Sequence, residues 1–141
     1  MSDLTIDVSQ LKKLATDLRR ASPQLAKDFL TQLGRAGDVV ALAAKEKADF
    51  STRIPATIKV RRRGTRVRVQ AGGETAPHAA AFEHDGYGGS FRHPVFGNYD
   101  VWVSQPAHPF LRPALEETLP EVELFVVQAV DDAFISAGWR A

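Results

Sequence analysis

Three prolines, Pro106, Pro109 and Pro113, fall within one short run, Gln105-Pro106-Ala107-His108-Pro109-Phe110-Leu111-Arg112-Pro113-Ala114-Leu115. A proline ring fixes φ and crowds the preceding residue out of the α region, so the run reads as a stiff extended entry ending where Pro113 can open a helix. The elements on either side are then held at a set angle, with Phe110 and Leu111 placed as anchors into a core. The role of Pro106, Pro109, Phe110 and Pro113 is read as architectural.

Upstream, Leu11, Leu14 and Leu18 recur at helical steps, and Leu25, Phe29, Leu33, Ala36, Val40 and Ala44 continue the stripe. Ser22-Pro23 interrupts it with a capping serine and a proline suited to the first helical position. The expectation is a helix from about Val8 to Arg20 and a longer one from Pro23 to about Ala48, with one kinked helix as the alternative. After Phe50 the period becomes two. Ile54, Ala56, Ile58 and Val60 alternate with Thr57, Lys59 and Arg61, and Val67, Val69 and Ala71 alternate with Arg66, Arg68 and Gln70, around a turn at Gly64. This is a β-hairpin with one apolar and one basic face.

Residues 76–84 read as a short helix with Ala79, Ala80 and Phe82 inward. Gly86, Gly88, Gly89 and Gly97 mark 85–98 as a flexible loop, whose Tyr87, Phe91 and Phe96 are expected to order against a partner. Tyr99 to Gln105 reads as a third strand. From about Pro113 to Ala137 a final helix has Leu115, Leu119, Val122, Val126, Ala129, Val130, Ala133 and Phe134 as its inner stripe, and Pro120 should bend or divide it. Residues 1–7 are read as a flexible N-terminus. The whole is one α+β domain: a long N-terminal helix or helix pair, a small antiparallel β-sheet with a basic hairpin, and a C-terminal helix.

With 141 residues, 44% of them hydrophobic, the chain has the composition of a single modest core. Cysteine is absent, which removes disulfides, thiolate metal sites and a cysteine nucleophile. No apolar run is long enough to span a bilayer, and Met1 to Asp7 is polar and acidic where a signal peptide would be basic and then apolar, so synthesis in a cytoplasm and no membrane partner are expected. His78, His84, His93 and His108 lack metal-ligand spacing, and Ser90 and Ser104 lack a nucleophile-elbow setting. No catalytic, cofactor-binding or metal-binding residue is assigned, and enzyme activity is not expected.

The net charge is only +1, yet the charges are sorted. Arg53, Lys59, Arg61, Arg62, Arg63, Arg66 and Arg68 share a stretch without an acid, whereas Glu116, Glu117, Glu121, Glu123, Asp131 and Asp132 share one without a base. Blocks of opposite sign make complementary surfaces or two solvated faces. Basic strands can also hold a nucleic-acid backbone, but no aromatic residues interleave the cations to stack bases.

Two segments carry a more distinctive signal, Ala79-Ala80-Ala81-Phe82-Glu83-His84-Asp85-Gly86 and the proline-bound run from Gln105 to Leu115. In this order, with the helices and hairpin around them, the chain resembles the tail-completion, or neck, family of long-tailed bacteriophages over roughly residues 8–137. Members carry an "a-x-x-x-E-[FHY]-G" stretch and a "q-P-x-x-P-F-[LM]-[RT]-P-A-[LF]" stretch. Asp85 is inserted before Gly86 here, and a threonine-glycine that many members place before the hairpin is replaced by Ser51-Thr52-Arg53-Ile54-Pro55.

The resemblance implies a structural virion protein of the neck or tail, made in the bacterial host cytoplasm. It would form a homo-oligomeric ring, hexameric to match a tail, that completes the tail and joins it to the head connector. Its partners would be the connector or stopper, the tail terminator and the tail tube, with nonspecific contact to packaged DNA. The alternative is a small phage-encoded nucleic-acid-binding or host-interaction protein. In a ring, the sorted charges acquire a use: Lys59, Arg61, Arg66 and Arg68 of one subunit would meet Glu116, Glu117, Glu121 and Glu123 of the next.

Overall fold

Two long helices carry the α+β fold in the computed structural model, which describes residues 2–7 and 11–138. Helix α1 (Lys12–Ala21) leads to α2 (Pro23–Lys47), and the chain ends in α5 (Leu111–Ser136). Helices α2 and α5 lie antiparallel: Gln32 Nε2 donates to Asp132 Oδ2 at 2.7 Å toward one end, and Lys47 pairs with Glu117 toward the other. The break between α1 and α2 is the expected one. Ser22 is extended, and its Oγ accepts from the Leu25 N–H at 3.4 Å while Pro23 opens α2. Val8, the expected start of α1, lies outside the described residues.

The core divides along the helix pair. Ala15, Leu18, Phe29 and Leu33 pack with Ala129 and Ala133 at one end. Val40, Ala44, Ile54, Val69, Phe110, Leu111 and Val122 pack together at the other. Helix α5 runs unbroken across Pro120, whose missing N–H falls on an exposed position, so the chain is not divided there. Leu119 and Phe134, expected in its inner stripe, are exposed; Leu111 and Ala114 take that role in the first turn.

The sheet has the order β1-β3-β2, with β1 (Ser2–Asp7), β2 (Lys59–Arg63) and β3 (Arg66–Ala71) antiparallel throughout. Its hairpin turns through Gly64 at φ 57°, as expected. Three differences from the sequence reading stand out. Ser2–Asp7 form a strand rather than a free terminus, because Leu4 and Ile6 alternate with polar residues in register with Val69 and Val67. Ile54–Thr57 form a helical turn, α3, instead of the start of a strand. Its cause is local: Ser51 Oγ accepts from the N–H groups of Arg53 and Ile54 at 3.2 Å, and Pro55 sits in the first turn. The third is that β4 (Ser90–Val95) and β5 (Asn98–Pro106) form a separate two-stranded sheet where a loop was expected over 85–98.

The inner face of the β2–β3 hairpin meets α2 at Gly34, against Arg62, and at Gly37, two glycines one helical turn apart. A Cβ on Gly37 would overlap Val67 and sit 2.9 Å from Val60. Both are stiff β-branched side chains, so the helix and sheet must separate to admit it. Gly37→Ala is therefore expected to lower stability by about 1–2 kcal/mol, overpacking outweighing the gain in helix propensity. Urea denaturation checks this, and a midpoint equal to or above wild type would mean that the contact is not close in solution.

Candidate interaction surfaces

The two distinctive segments meet at Glu83. Helix α4 (Ala79–Glu83) ends in this residue, which is only 3% exposed, while Ala80, expected inward, is exposed. The Glu83 carboxylate accepts from the backbone N–H groups of Phe110 at 2.7 Å, Leu111 at 2.8 Å and Arg112 at 2.9 Å. The next residue is Pro113, which has no N–H. Every donor of the first turn of α5 is thus either satisfied by one carboxylate or absent. This also corrects the reading that Pro113 opens the helix: α5 begins two residues earlier, at Leu111, and the proline is tolerated because that position needs no donor.

Three consecutive residues after α4, His84, Asp85 and Gly86, have positive φ. Gly86 at φ 81° lies against Arg112, where a Cβ would overlap the Arg112 side chain. The turn carries Tyr87 back over Arg112, whose guanidinium lies 4.7 Å from the ring centroid. A hydrogen bond to the Tyr87 phenol, with a smaller contribution from Glu116, holds the Arg112 guanidinium above its ordinary range.

From this junction the β4–β5 hairpin projects as an arm. Its root is anchored by the Ala107 N–H donating to the Gly89 carbonyl at 2.8 Å, and by Phe91, half-buried with its ring 5.3 Å from Phe82. Phe82, Phe50 and His108 continue that cluster to Phe110. Most of β5 is exposed. Tyr87, Phe96, Tyr99, Val101, Trp102 and Val103 all present apolar surface to solvent, and Phe96 is fully exposed at the tip. The tip is a two-residue turn, Phe96-Gly97, with φ of 49° and 76°. Tyr99, Asp100 and Val101 bulge from β5, held by the Asp100 N–H on Asn98 Oδ1 at 3.0 Å and Trp102 Nε1–H on the Tyr99 carbonyl at 2.8 Å. Of the aromatics expected to seek a partner, Phe91 is an internal anchor, Tyr87 covers Arg112, and Phe96 points outward.

On the three-stranded sheet, Lys59, Arg61, Arg66 and Arg68 share the face away from α2, but β1 adds Asp3 to it. Arg68 Nε lies 3.6 Å from Asp3 and 3.3 Å from Thr5 Oγ1, Asp7 stands opposite Arg66 in register, and Arg61 donates to Gln70 at 3.3 Å. Arg62 points the other way, its Nη2 donating to both carboxylate oxygens of Asp38 at 2.7 Å. On α5, Glu117 pairs with Lys47, and Glu116 lies 3.5 Å from Arg112; Glu121 and Glu123 are exposed. The charge blocks are therefore partly closed within the subunit, leaving Lys59 and Arg61 against Glu121 and Glu123 as the pairs with most surface to offer. Helix α5 also has an outer apolar strip, with Leu124, Val127 and Ile135 exposed opposite the buried Val122, Ala129 and Ala133.

The histidines are spread through this region: His108 lies tilted against Phe50 with centroids 4.1 Å apart, His78 stands edge-on to Phe82, His84 Nδ1 lies 3.2 Å from the Gly88 carbonyl, and His93 Nδ1 lies 3.1 Å from that of Pro94. Among the described residues no group of three acidic or histidine side chains converges as metal ligands, and no helix is long and apolar enough to cross a membrane. Comparison with known protein families, curated proteins and solved structures finds no match for this chain.

Proposed function

We propose that this chain is an assembly subunit, a structural protein of a siphophage neck whose copies form a ring that completes the tail and joins it to the head connector. The observation that carries the assembly role is the projecting arm. A two-stranded hairpin is marginal in water on its own, yet this one exposes Phe96, Tyr99, Val101 and Trp102. Phe96 also occupies a left-handed conformation that a bulky side chain adopts only at a cost. A fully exposed phenylalanine there gains nothing from its own subunit and is suited to burial in another. The phage assignment rests on the resemblance carried by Glu83 and by the run from Gln105 to Leu115.

The receiving surface is the outer strip of α5 on a second copy. Arg92 on the arm and Glu121, Glu123 and Asp131 beside the strip have opposite signs, and such complementarity sets partner choice and register more than affinity. Arm and strip are different surfaces, so the contact is head-to-tail and closes into a ring when the rotation permits. Subunit joining, rather than catalysis, is the role this arrangement supports, with the virion neck as its location.

Phe96→Asn separates folding from assembly. Asparagine suits this turn position better than phenylalanine, so the melting temperature should stay level or rise. Self-association, read by sedimentation velocity, should weaken at least tenfold if Phe96 is an anchor of the interface. A variant that assembles like wild type would remove the arm from the reading.

A further inference from the structure

Two adjoining clefts, of about 490 and 400 Å³, lie between α1, the start of α2 and the tip of the β2–β3 hairpin, sharing Arg19, Leu30 and Gly64 in their walls. Lys12, Arg19, Lys27 and Arg63 line them with exposed side chains, and no carboxylate does so among the described residues. Two acids on α1 and the start of α2 are turned to other partners: Asp17 pairs with Lys13 at 2.8 Å, and Asp28 accepts from Gln24 at 2.8 Å. Arg62 and Arg66 also border the clefts, but Arg62 is engaged by Asp38 and Arg66 has an interaction of its own within the chain, so neither is needed. We infer that this pair of clefts is a binding site for the phosphate backbone of duplex nucleic acid.

The chemistry selects the ligand class. Cations contributed by three separate elements around an open double cleft match a chain of repeated charges better than a single anion. Lys12 and Arg19 are seven residues apart, about 10 Å along the helix, or roughly three base steps of a duplex. No aromatic side chain lines either cleft, so bases have nothing to stack on, which favours a duplex over a single strand and leaves binding independent of sequence. The site lies on α1 and the hairpin tip, apart from the β4–β5 arm, and does not rest on the ring reading.

The test is fluorescence anisotropy with a short labelled duplex of mixed sequence and the full chain, across a salt series. With four cations on phosphates, log Kd against log salt should have a slope of magnitude about 3.6, a loss of about 100-fold between roughly 50 and 200 mM. The double variant Lys12→Gln, Arg19→Gln should reduce that slope by about 2, whereas Lys59→Gln, Arg61→Gln, which removes the same charge outside the clefts, should leave it unchanged. Circular dichroism confirms that both variants are folded, and glutamine at exposed helix positions keeps α1 intact. Absence of salt-dependent binding, equal losses in the two variants, or poly-glutamate binding as tightly as the duplex would each overturn the assignment.

Discussion

Phe110→Ala is expected to cost about 3–5 kcal/mol of folding stability, the range for deleting a fully buried phenylalanine. The ring is 0% exposed, packed among Val40, Ile54, Leu111 and Ala114 in the core at the sheet end of the helix pair, with Phe50 6.3 Å away. Its backbone N–H is also one of the three held by Glu83, so the residue ties the proline-bound entry to the core by side chain and main chain together. A loss of that size is a large share of the stability of a small domain and corresponds to a fall of roughly 10–17 °C in melting temperature. The cavity cannot close by a local shift, because Pro109 on one side and Pro113 on the other restrict the backbone. Phe110→Leu, which refills part of the space, should recover about half the loss. A melting temperature unchanged in the alanine variant would place the ring outside the core and remove the architectural role of the segment.

What was legible in the sequence was whatever is encoded by local period. Helices α1, α2 and α5 follow apolar stripes over two turns or more, so α2 and α5 appear close to their expected limits and α1 ends where expected, while the hairpin of β2 and β3 follows alternation around Gly64 but begins at Lys59 instead of Ile54. The elements missed have weaker local signals that distant contacts decide. Strand β1 does alternate, Leu4 and Ile6 between Asp3, Thr5 and Asp7, but its six residues become a strand only by pairing with β3 more than sixty residues later. Residues Ile54 to Thr57 alternate like a strand and are bent into a turn by Ser51, a choice for which Pro55 was the available sign. Strand β4 was hidden by the glycines that flank it, by Pro94 and by a tip of Phe96-Gly97 in place of asparagine-glycine.

The interaction surfaces were legible in kind more than in detail. Tyr87, Phe91 and Phe96 were expected to seek a partner, and of these only Phe96 stands free on the arm; the mutual closure of Lys47 with Glu117 and of Arg68 with Asp3 joins distant parts of the chain and has no sequence signal. Glu83 was visible as part of a motif, but not as the group that reaches Phe110, Leu111 and Arg112.

That reach makes Glu83 the second position where one substitution should act strongly. In Glu83→Ala the N–H groups of Phe110, Leu111 and Arg112 lose their acceptor together, and the positive end of α5 loses its negative charge. An unsatisfied buried donor costs about 1–3 kcal/mol, but the three are not additive, because a cleft bordered by Glu83, Asp85 and Arg112 lets water reach part of the site. The expected net loss is about 3–5 kcal/mol. Glu83→Gln keeps one carbonyl oxygen and turns an amide donor toward N–H groups that are themselves donors, so its loss should fall between those of alanine and wild type. Chemical denaturation orders the three proteins, and hydrogen exchange at Phe110, Leu111 and Arg112 reports whether the first turn of α5 opens. Protection unchanged in the alanine variant would mean that another acceptor holds those groups and that the carboxylate is not what joins the two motifs.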